Sequence, residues 1–200
     1  KPNYIVAVTG TNGKTSVANF FNQILNLNKI QSASIGTLGI NSKILKKKTE
    51  LTTMDSLFLH KHLMLLKKNK VNHVIVEASS HGLDQNRLDY IKFKSGIFTN
   101  LSHDHLDYHK NMKSYFNSKM YLFKKILKKN STIITDIDNK EFSNLKKISL
   151  DRNLEIKTIG FSKSSIKILN HKYLDKKQLI EFNYKSRIYN HANIIYMYSS

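Results

Sequence analysis

The sequence predicts an α/β fold: a mostly parallel sheet with crossover helices, a phosphate-binding loop, and a small β-rich C-terminal part. Three observations predict it. Short apolar runs alternate with helical patterns over residues 4–136. One of those runs, "YIVAVT", leads directly into "GTNGKT" and then into a helix. From about residue 154 the pattern changes to short β segments joined by polar turns. Strands that alternate with helices form parallel sheets, and such sheets bind ligands outside the carboxyl ends of their strands. The loops after Thr9, Glu77 and Asn100 are therefore expected on one edge.

The elements follow in order. Residues 4–9 read as a buried strand. The helix after the loop carries Val17, Phe20, Phe21, Ile24 and Leu25 at i, i+3, i+4, i+7 and i+8. "SASIGT" (32–37) is a second short strand, and a helix over about 55–69 sets Leu59, Leu63 and Leu66 on one face. "VNHVIVE" (71–77) is an apolar strand that ends in a carboxylate. A strand at 95–100, a helix over 111–129 and a strand at 131–136 complete the alternation. "LEIKTIGF", "SSIKILNHKYL" and "QLIEFNYKSRIYN" form the β-rich end. Residues 1–153 are expected to form one domain and 154–200 its β-rich extension.

Composition narrows the function classes. With 33 Lys and Arg against 14 Asp and Glu, the net charge is +19. The lysines are spread along the chain, and several follow apolar helical stripes, as in Lys67, Lys68, Lys124, Lys125, Lys128, Lys129, Lys176 and Lys177. Compositional drift accounts for them better than a nucleic-acid surface, although excess positive charge attracts phosphorylated ligands. No cysteine is present, which rules out disulfides and thiolate metal sites. No apolar stretch reaches membrane-span length, and the start is not a secretory signal. The expectation is a cytoplasmic monomer that binds neither nucleic acid nor membrane.

The first chemical motif is "TGTNGKTS". The common phosphate-loop spacing, G-x-x-x-x-G-K-[ST], would place a glycine where Val8 stands. Strand, loop and helix nevertheless occur in the required order. Gly10 and Gly13 let backbone N–H groups turn toward phosphate, and the helix start adds partial positive charge. Lys14 can reach terminal phosphates and Thr15 can offer a hydroxyl to Mg²⁺. The second motif, "VIVEASSHGLDQNRL", puts Glu77 at a strand end, where a carboxylate needs water or a cation. It is either a solvent-facing glutamate or a Mg²⁺ ligand. The third, "TNLSHDHLDYH", holds His103, Asp104, His105, Asp107 and His109. His103-x-His105-x-Asp107 resembles the metal signature of metallo-β-lactamase-type hydrolases, which supports an alternative reading as a zinc hydrolase. Tyr108 interrupts that signature. In the helix that follows, Lys119 lies on the same face as Met112, Tyr115, Phe116, Met120, Phe123, Ile126 and Leu127. Lysine is rarely buried without a partner, so it either snorkels to the edge or points into the site.

"TGTNGKTS" resembles the shortened ATP loop of the Mur ligase superfamily, which includes cell-wall amino-acid ligases and folylpolyglutamate synthetase. The latter usually carries Gly-Lys-Gly-Ser. Gly13-Lys14-Thr15-Ser16 favours the cell-wall branch, with a folylpolyglutamate synthetase-like ligase as an alternative. "EASSHGLDQNRL…FTNLSHDHLDYHKNMKSYFNSKMYLF", together with "IGTLG" and "LTTMDS", resembles the central ATP-binding domain of the branch that adds the third peptide residue to UDP-N-acetylmuramoyl-L-alanyl-D-glutamate. The resemblance covers about residues 4–136. It implies ATP and Mg²⁺ as cofactors, with Gly10, Thr11, Asn12, Gly13, Lys14, Thr15 and Ser16 on the nucleotide. It implies that Thr15, Glu77, His105 and a carbamylated Lys119 hold metal, and that Lys14, His105 and Lys119 are catalytic. Thr52, Thr53, Ser79, Gln85 and Arg87 are implied to hold the UDP-sugar dipeptide, whose partner substrate is an amino acid, meso-diaminopimelate or L-lysine. Two departures bear on this. "TDIDN" (135–139) replaces an Asn-x-Asp-Asp element near the adenine, and "TTM" stands for Thr-Thr-Pro. Neither the uracil-binding N-terminal domain nor the amino-acid-binding C-terminal domain of the family is recognisable in these 200 residues.

Overall fold

The structure, a computed structural model, describes residues 1–174 and 177–194. Eleven strands form one sheet in the order β11-β10-β9-β8-β7-β6-β1-β5-β2-β3-β4. The strands are β1 (Tyr4–Thr9), β2 (Ser32–Gly36), β3 (Gly39–Ser42), β4 (Lys46–Lys47), β5 (His73–Glu77), β6 (Ser95–Phe98), β7 (Thr132–Asp136), β8 (Glu155–Gly160), β9 (Ile166–Leu174), β10 (Lys177–Tyr184) and β11 (Arg187–Ile194). From β2 through β5, β1, β6 and β7 to β8 every neighbouring pair is parallel. β1 is central, in register with Val8 opposite Glu77 on one side and Thr9 opposite Phe98 on the other. Its Ile5, Val6, Ala7 and Val8 are buried on both faces, as an unbroken apolar run in a parallel sheet must be. The β-rich end continues the sheet: β8 pairs with β7, and β9, β10 and β11 form an antiparallel meander. Residues 195–200 of the expected extension lie outside the described residues.

Crossover helices connect the parallel strands. Helix α1 spans Lys14–Leu27 and α2 spans Ser56–Lys68. Asp55 caps α2 by accepting the Phe58 N–H at 2.9 Å, and Leu59, Leu63 and Leu66 are fully buried, as their spacing predicts. Three further segments were not legible from periodicity. Two are the short turns α3 (Ser80–Asp84) and α4 (Leu106–His109). Helix α5 (Met112–Tyr121) is capped by Asn111 and continues as a π-helical turn over Leu122–Ile126. The expected single helix at 111–129 is therefore shorter and changes pitch before Leu127. The third, α6 (Phe142–Arg152), packs only Leu145, Ile148 and Ser149 inward, too few apolar positions for periodicity to signal a helix.

Helix α1 departs from its expected stripe. Phe20 and Ile24 are 60% and 58% exposed, while the buried positions are Ala18 and Asn22. Asn22 binds the core through hydrogen bonds: its Nδ2 donates to Asn41 O, and its Oδ1 accepts from Ser32 Oγ. The stripe is met in part: Val17 and Phe21 pack against the cluster of Val6, Val8, Ala18 and Ile75, and the satisfied Asn22 amide is buried where Phe20 and Ile24 are not.

The core makes a quantitative contrast testable. Leu63 is fully buried and Leu57 on the same helix is 81% exposed. Leu63→Ala should lower unfolding free energy by about 2–5 kcal/mol, and Leu57→Ala should change it by less than about 0.5 kcal/mol. Urea denaturation of both variants checks this; equal losses would contradict the assigned core.

Candidate active site

The loops after β1, β5 and β6 meet at one edge, as the parallel topology requires. Gly10 (φ 146°) and Gly13 (φ 84°) occupy conformations that side chains rarely adopt. At Gly10 a Cβ would also lie 1.9 Å from Thr99 Oγ1. Gly13 is the N-cap of α1 and has no side chain to satisfy the first turn. The N–H groups that open α1 are therefore free for a ligand, and the helix dipole favours an anion there. A cavity of about 260 Å³ lies over this turn, lined by Thr11, Asn12, Gly13, Lys14, Thr15 and Ser16 with Thr37, Thr52, Ser79, Ser80, His105 and Lys119. Sequence-selected residues from five separate segments thus face one space.

Two lysines converge beside it. Lys14 Nζ donates to Gly10 O at 2.9 Å and to Thr11 O at 2.8 Å. Lys119 Nζ donates to the same Gly10 O at 2.8 Å and sits 4.3 Å from the Tyr115 ring centroid. Lys119 is 1% exposed, so it points inward and does not snorkel. Burial, reinforced by the charge of Lys14, pushes its pKa down to about 7. Burial lowers Lys14 as well, against the opposing pull of Glu77 and Asp104.

Glu77 is 2% exposed, which excludes the solvent-facing reading. Its Oε2 accepts from Thr15 Oγ1 at 2.9 Å and Thr37 Oγ1 at 3.1 Å, and its Oε1 accepts from Thr37 N at 3.1 Å. Gly36 makes room for it, since a Cβ there would lie 2.1 Å from Oε1. A buried carboxylate bonded to a threonine hydroxyl at the foot of an anion-binding turn is an oxygen donor set suited to Mg²⁺.

The remaining candidates divide. Thr53 is buried structure: its Oγ1 donates to Glu77 O at 2.8 Å and accepts from Ser79 N at 2.9 Å. Ser79 caps α3 by accepting the Gly82 N–H. Arg87 donates from Nη1 to Thr53 O at 2.6 Å and from Nη2 to Gln85 Oε1. Gln85 Nε2 donates to Tyr108 OH at 3.2 Å, which in turn donates to Asp84 Oδ2 at 3.0 Å. Gln85 and Arg87 form a network next to the cavity and do not line it. His105 stands in left-handed backbone (φ 50°), with Nε2 3.5 Å from Asp104 Oδ2. Spacing did not single out Thr37, Tyr115 as a partner of Thr11 (3.1 Å between hydroxyls), or His81, whose ring centroid is 5.0 Å from that of His105. Thr37 lay within the quoted "IGTLG", and His81 within "SSHGL".

The zinc-hydrolase alternative is not supported. Among the described residues no three His, Cys, Asp or Glu side chains are grouped to hold a metal. His103 is exposed and His109 is buried with Nε2 unpartnered, so the cluster is split between surface and interior.

An uncapped, glycine-rich strand-to-helix turn at the carboxyl edge of a parallel sheet marks the phosphate-loop nucleotide-binding folds, and this architecture belongs to that class. The finer assignment comes from relatives. The Mur ligase middle domain pattern matches residues 8–195, and the chain belongs to that family. It is 41% identical over 189 residues to the UDP-N-acetylmuramoyl-L-alanyl-D-glutamate–2,6-diaminopimelate ligase of Chelativorans sp. (strain BNC1), covering 94% of this chain and 39% of that protein. A solved structure of a ligase of that same name superposes with a TM-score of 0.83 at 28% identity, over 95% of this chain and 39% of the other. The MurF ligase of Thermotoga maritima in complex with ADP has a TM-score of 0.67 at 17% identity, over 96% and 40%, and shares the fold. The chain spans about two fifths of the length of these relatives.

The depressed pKa of Lys119 has a stability consequence with a definite sign. Below about pH 7 both folded and unfolded chains carry the proton, and the burial penalty is complete. Between about 7 and 10.5 only the unfolded chain holds it, so stability rises with pH through that window. Lys119→Met removes this rise. Urea midpoints of parent and variant across the window are the check, and parallel curves would contradict the assignment.

Proposed function

We propose that this chain is the ATP-binding part of a ligase that joins an amino acid to UDP-N-acetylmuramoyl-L-alanyl-D-glutamate through an acyl phosphate, in peptidoglycan synthesis. The observation that carries the reading is the convergence of two lysine ammoniums on Gly10 O beside an uncapped helix start. The names of the relatives favour 2,6-diaminopimelate over lysine as the added residue. Residues 154–194 act as an extension of the same domain, because β8 continues its sheet.

The chain's own residues divide the work. The first-turn N–H groups of α1 and Lys14 hold the β- and γ-phosphates and neutralise charge as it develops. Glu77, the Thr15 hydroxyl and His105, which lines the cavity, would hold Mg²⁺. When bound, the ion screens phosphate charge so that the D-glutamate side-chain carboxylate can attack the γ-phosphorus and expel ADP. The incoming amine then attacks the acyl carbon, phosphate leaves, and the ammonium proton goes to solvent. Lys119 is suited to carbamylation because its amine is partly neutral near pH 7. Its lone pair would add to CO₂, forming an N–C bond and releasing one proton, which would turn a cation into a carboxylate able to serve as a further Mg²⁺ donor. Thr52, Thr53, Ser79, Gln85 and Arg87 hold the UDP-sugar dipeptide, Thr52 and Ser79 from the cavity lining itself and the others from beside it. The protein works without a membrane or nucleic-acid partner, as a cytoplasmic monomer.

Two outcomes test the reading. Lys14→Ala should weaken ATP binding by roughly a hundredfold without unfolding the chain, and calorimetry giving equal affinities would refute it. In the longer ligase proposed to contain this chain, Lys119→Ala should abolish tripeptide formation, with no rescue by bicarbonate and partial rescue by a short carboxylic acid. The 200-residue chain alone should form no tripeptide by mass spectrometry. These residues span about two fifths of the ligases they match, and ligation also needs water excluded and the amine held at about 3–3.5 Å from the acyl carbon.

A further inference from the structure

The phosphate loop is held from outside by the strand next to it. Residue pairing between β1 and β6 ends with Thr9 opposite Phe98. The backbone ladder runs on, with Thr99 N donating to Thr9 O at 3.0 Å and Thr11 N donating to Asn100 O at 2.9 Å. The next rung is made by a side chain. Asn100 Oδ1 accepts from Asn12 N at 2.9 Å, and Asn100 Nδ2 donates to Asn12 O at 3.3 Å. Thr99 Oγ1 also donates to Asn12 O, at 2.7 Å. The carboxamide of Asn100 thus occupies both backbone groups of one loop residue, as a paired strand would.

We infer that Asn100 is a positioning residue for the phosphate site: its carboxamide supplies the pairing that fixes the outer arm of this short loop and leaves the N–H groups from Gly13 onward to face phosphate. The inference rests on the nucleotide-binding reading above. The residue type is specific to the task. A carboxamide both donates and accepts, aspartate can only accept, and alanine can do neither. Asn12 is exposed, so without the clamp its peptide would exchange its partners for water, and residues 10–13 would lose their fixed path between Thr9 and α1. The Gly10–Thr99 approach, which leaves no space for a Cβ, brings the two segments close enough for a side chain as short as asparagine to reach.

The test uses the 200-residue chain, with Mg-ATP and inorganic tripolyphosphate as probes. Asn100→Ala should weaken both by roughly tenfold, the effect of losing one to two hydrogen bonds. Hydrogen exchange should quicken at Asn12 and stay slow at Val8 and Phe98 in the ladder. A merely structural role would instead lower thermal stability and loosen all three amides together. Asn100→Asp is isosteric and guards against misfolding. It keeps the acceptor, loses the donor and sets a negative charge beside the loop, so its affinity for tripolyphosphate should fall at least as far. Unchanged affinity in both variants, alongside a large loss in Lys14→Ala, overturns the role of Asn100 and leaves the nucleotide reading standing. Unchanged affinity in all three variants overturns both.

Discussion

Two ammonium groups on one carbonyl oxygen is the arrangement from which the rest of the site follows. Lys14 and Lys119 approach Gly10 O at 2.9 and 2.8 Å from different helices. Like charges this close repel, and burial raises the penalty further. Burial and the neighbouring Lys14 charge therefore leave Lys119 partly neutral near pH 7. Negative charge in the cavity, such as a phosphate, complements the pair. A central β1 is what makes the convergence possible, because it sets Gly10 between the elements that bring α1 and α5 to the same edge.

Glu77 is the matching anion on the other side of β1. It lies opposite Val8 in the sheet register and bonds Thr15 and Thr37, so one carboxylate ties the helix start to the turn after β2. Burying it is tolerable because three donors satisfy it. The glycine at position 36 reserves the volume it occupies.

Much of this was legible in the sequence, for physical reasons that differ by residue. The strands β1 and β5 announce themselves because strands buried on both faces are apolar throughout. Lys119 stood out because a lysine interrupts an apolar helical stripe, and Glu77 because a carboxylate ends an apolar strand. Phe20 and Ile24 misled because periodicity reports a helix without saying which side of it meets the sheet. There a hydrogen-bonded Asn22 took the inward place. Helix α6 and the π-helical turn after α5 were hidden because too few of their positions are apolar, or because a change of pitch leaves the composition unchanged. Gln85 and Arg87 stand beside the cavity, bonded to Tyr108, Thr53 and each other, a network that only the folded chain assembles. The clamp on Asn12 could not be read at all, since its two halves lie 88 positions apart and meet only in the folded sheet.

That separation also sets an order of events during synthesis. The loop leaves the ribosome before its partner strand, and Asn100 follows Asn12 by 88 residues. At about 5–20 residues per second, the glycine-rich turn waits on the order of ten seconds for the strand that shapes it. For the first part of that interval, until β5 (His73–Glu77) emerges, β1 is an apolar ribbon without either of its neighbours. The distance in sequence that unites the site in the finished fold therefore leaves β1 open to misassociation while the chain is young.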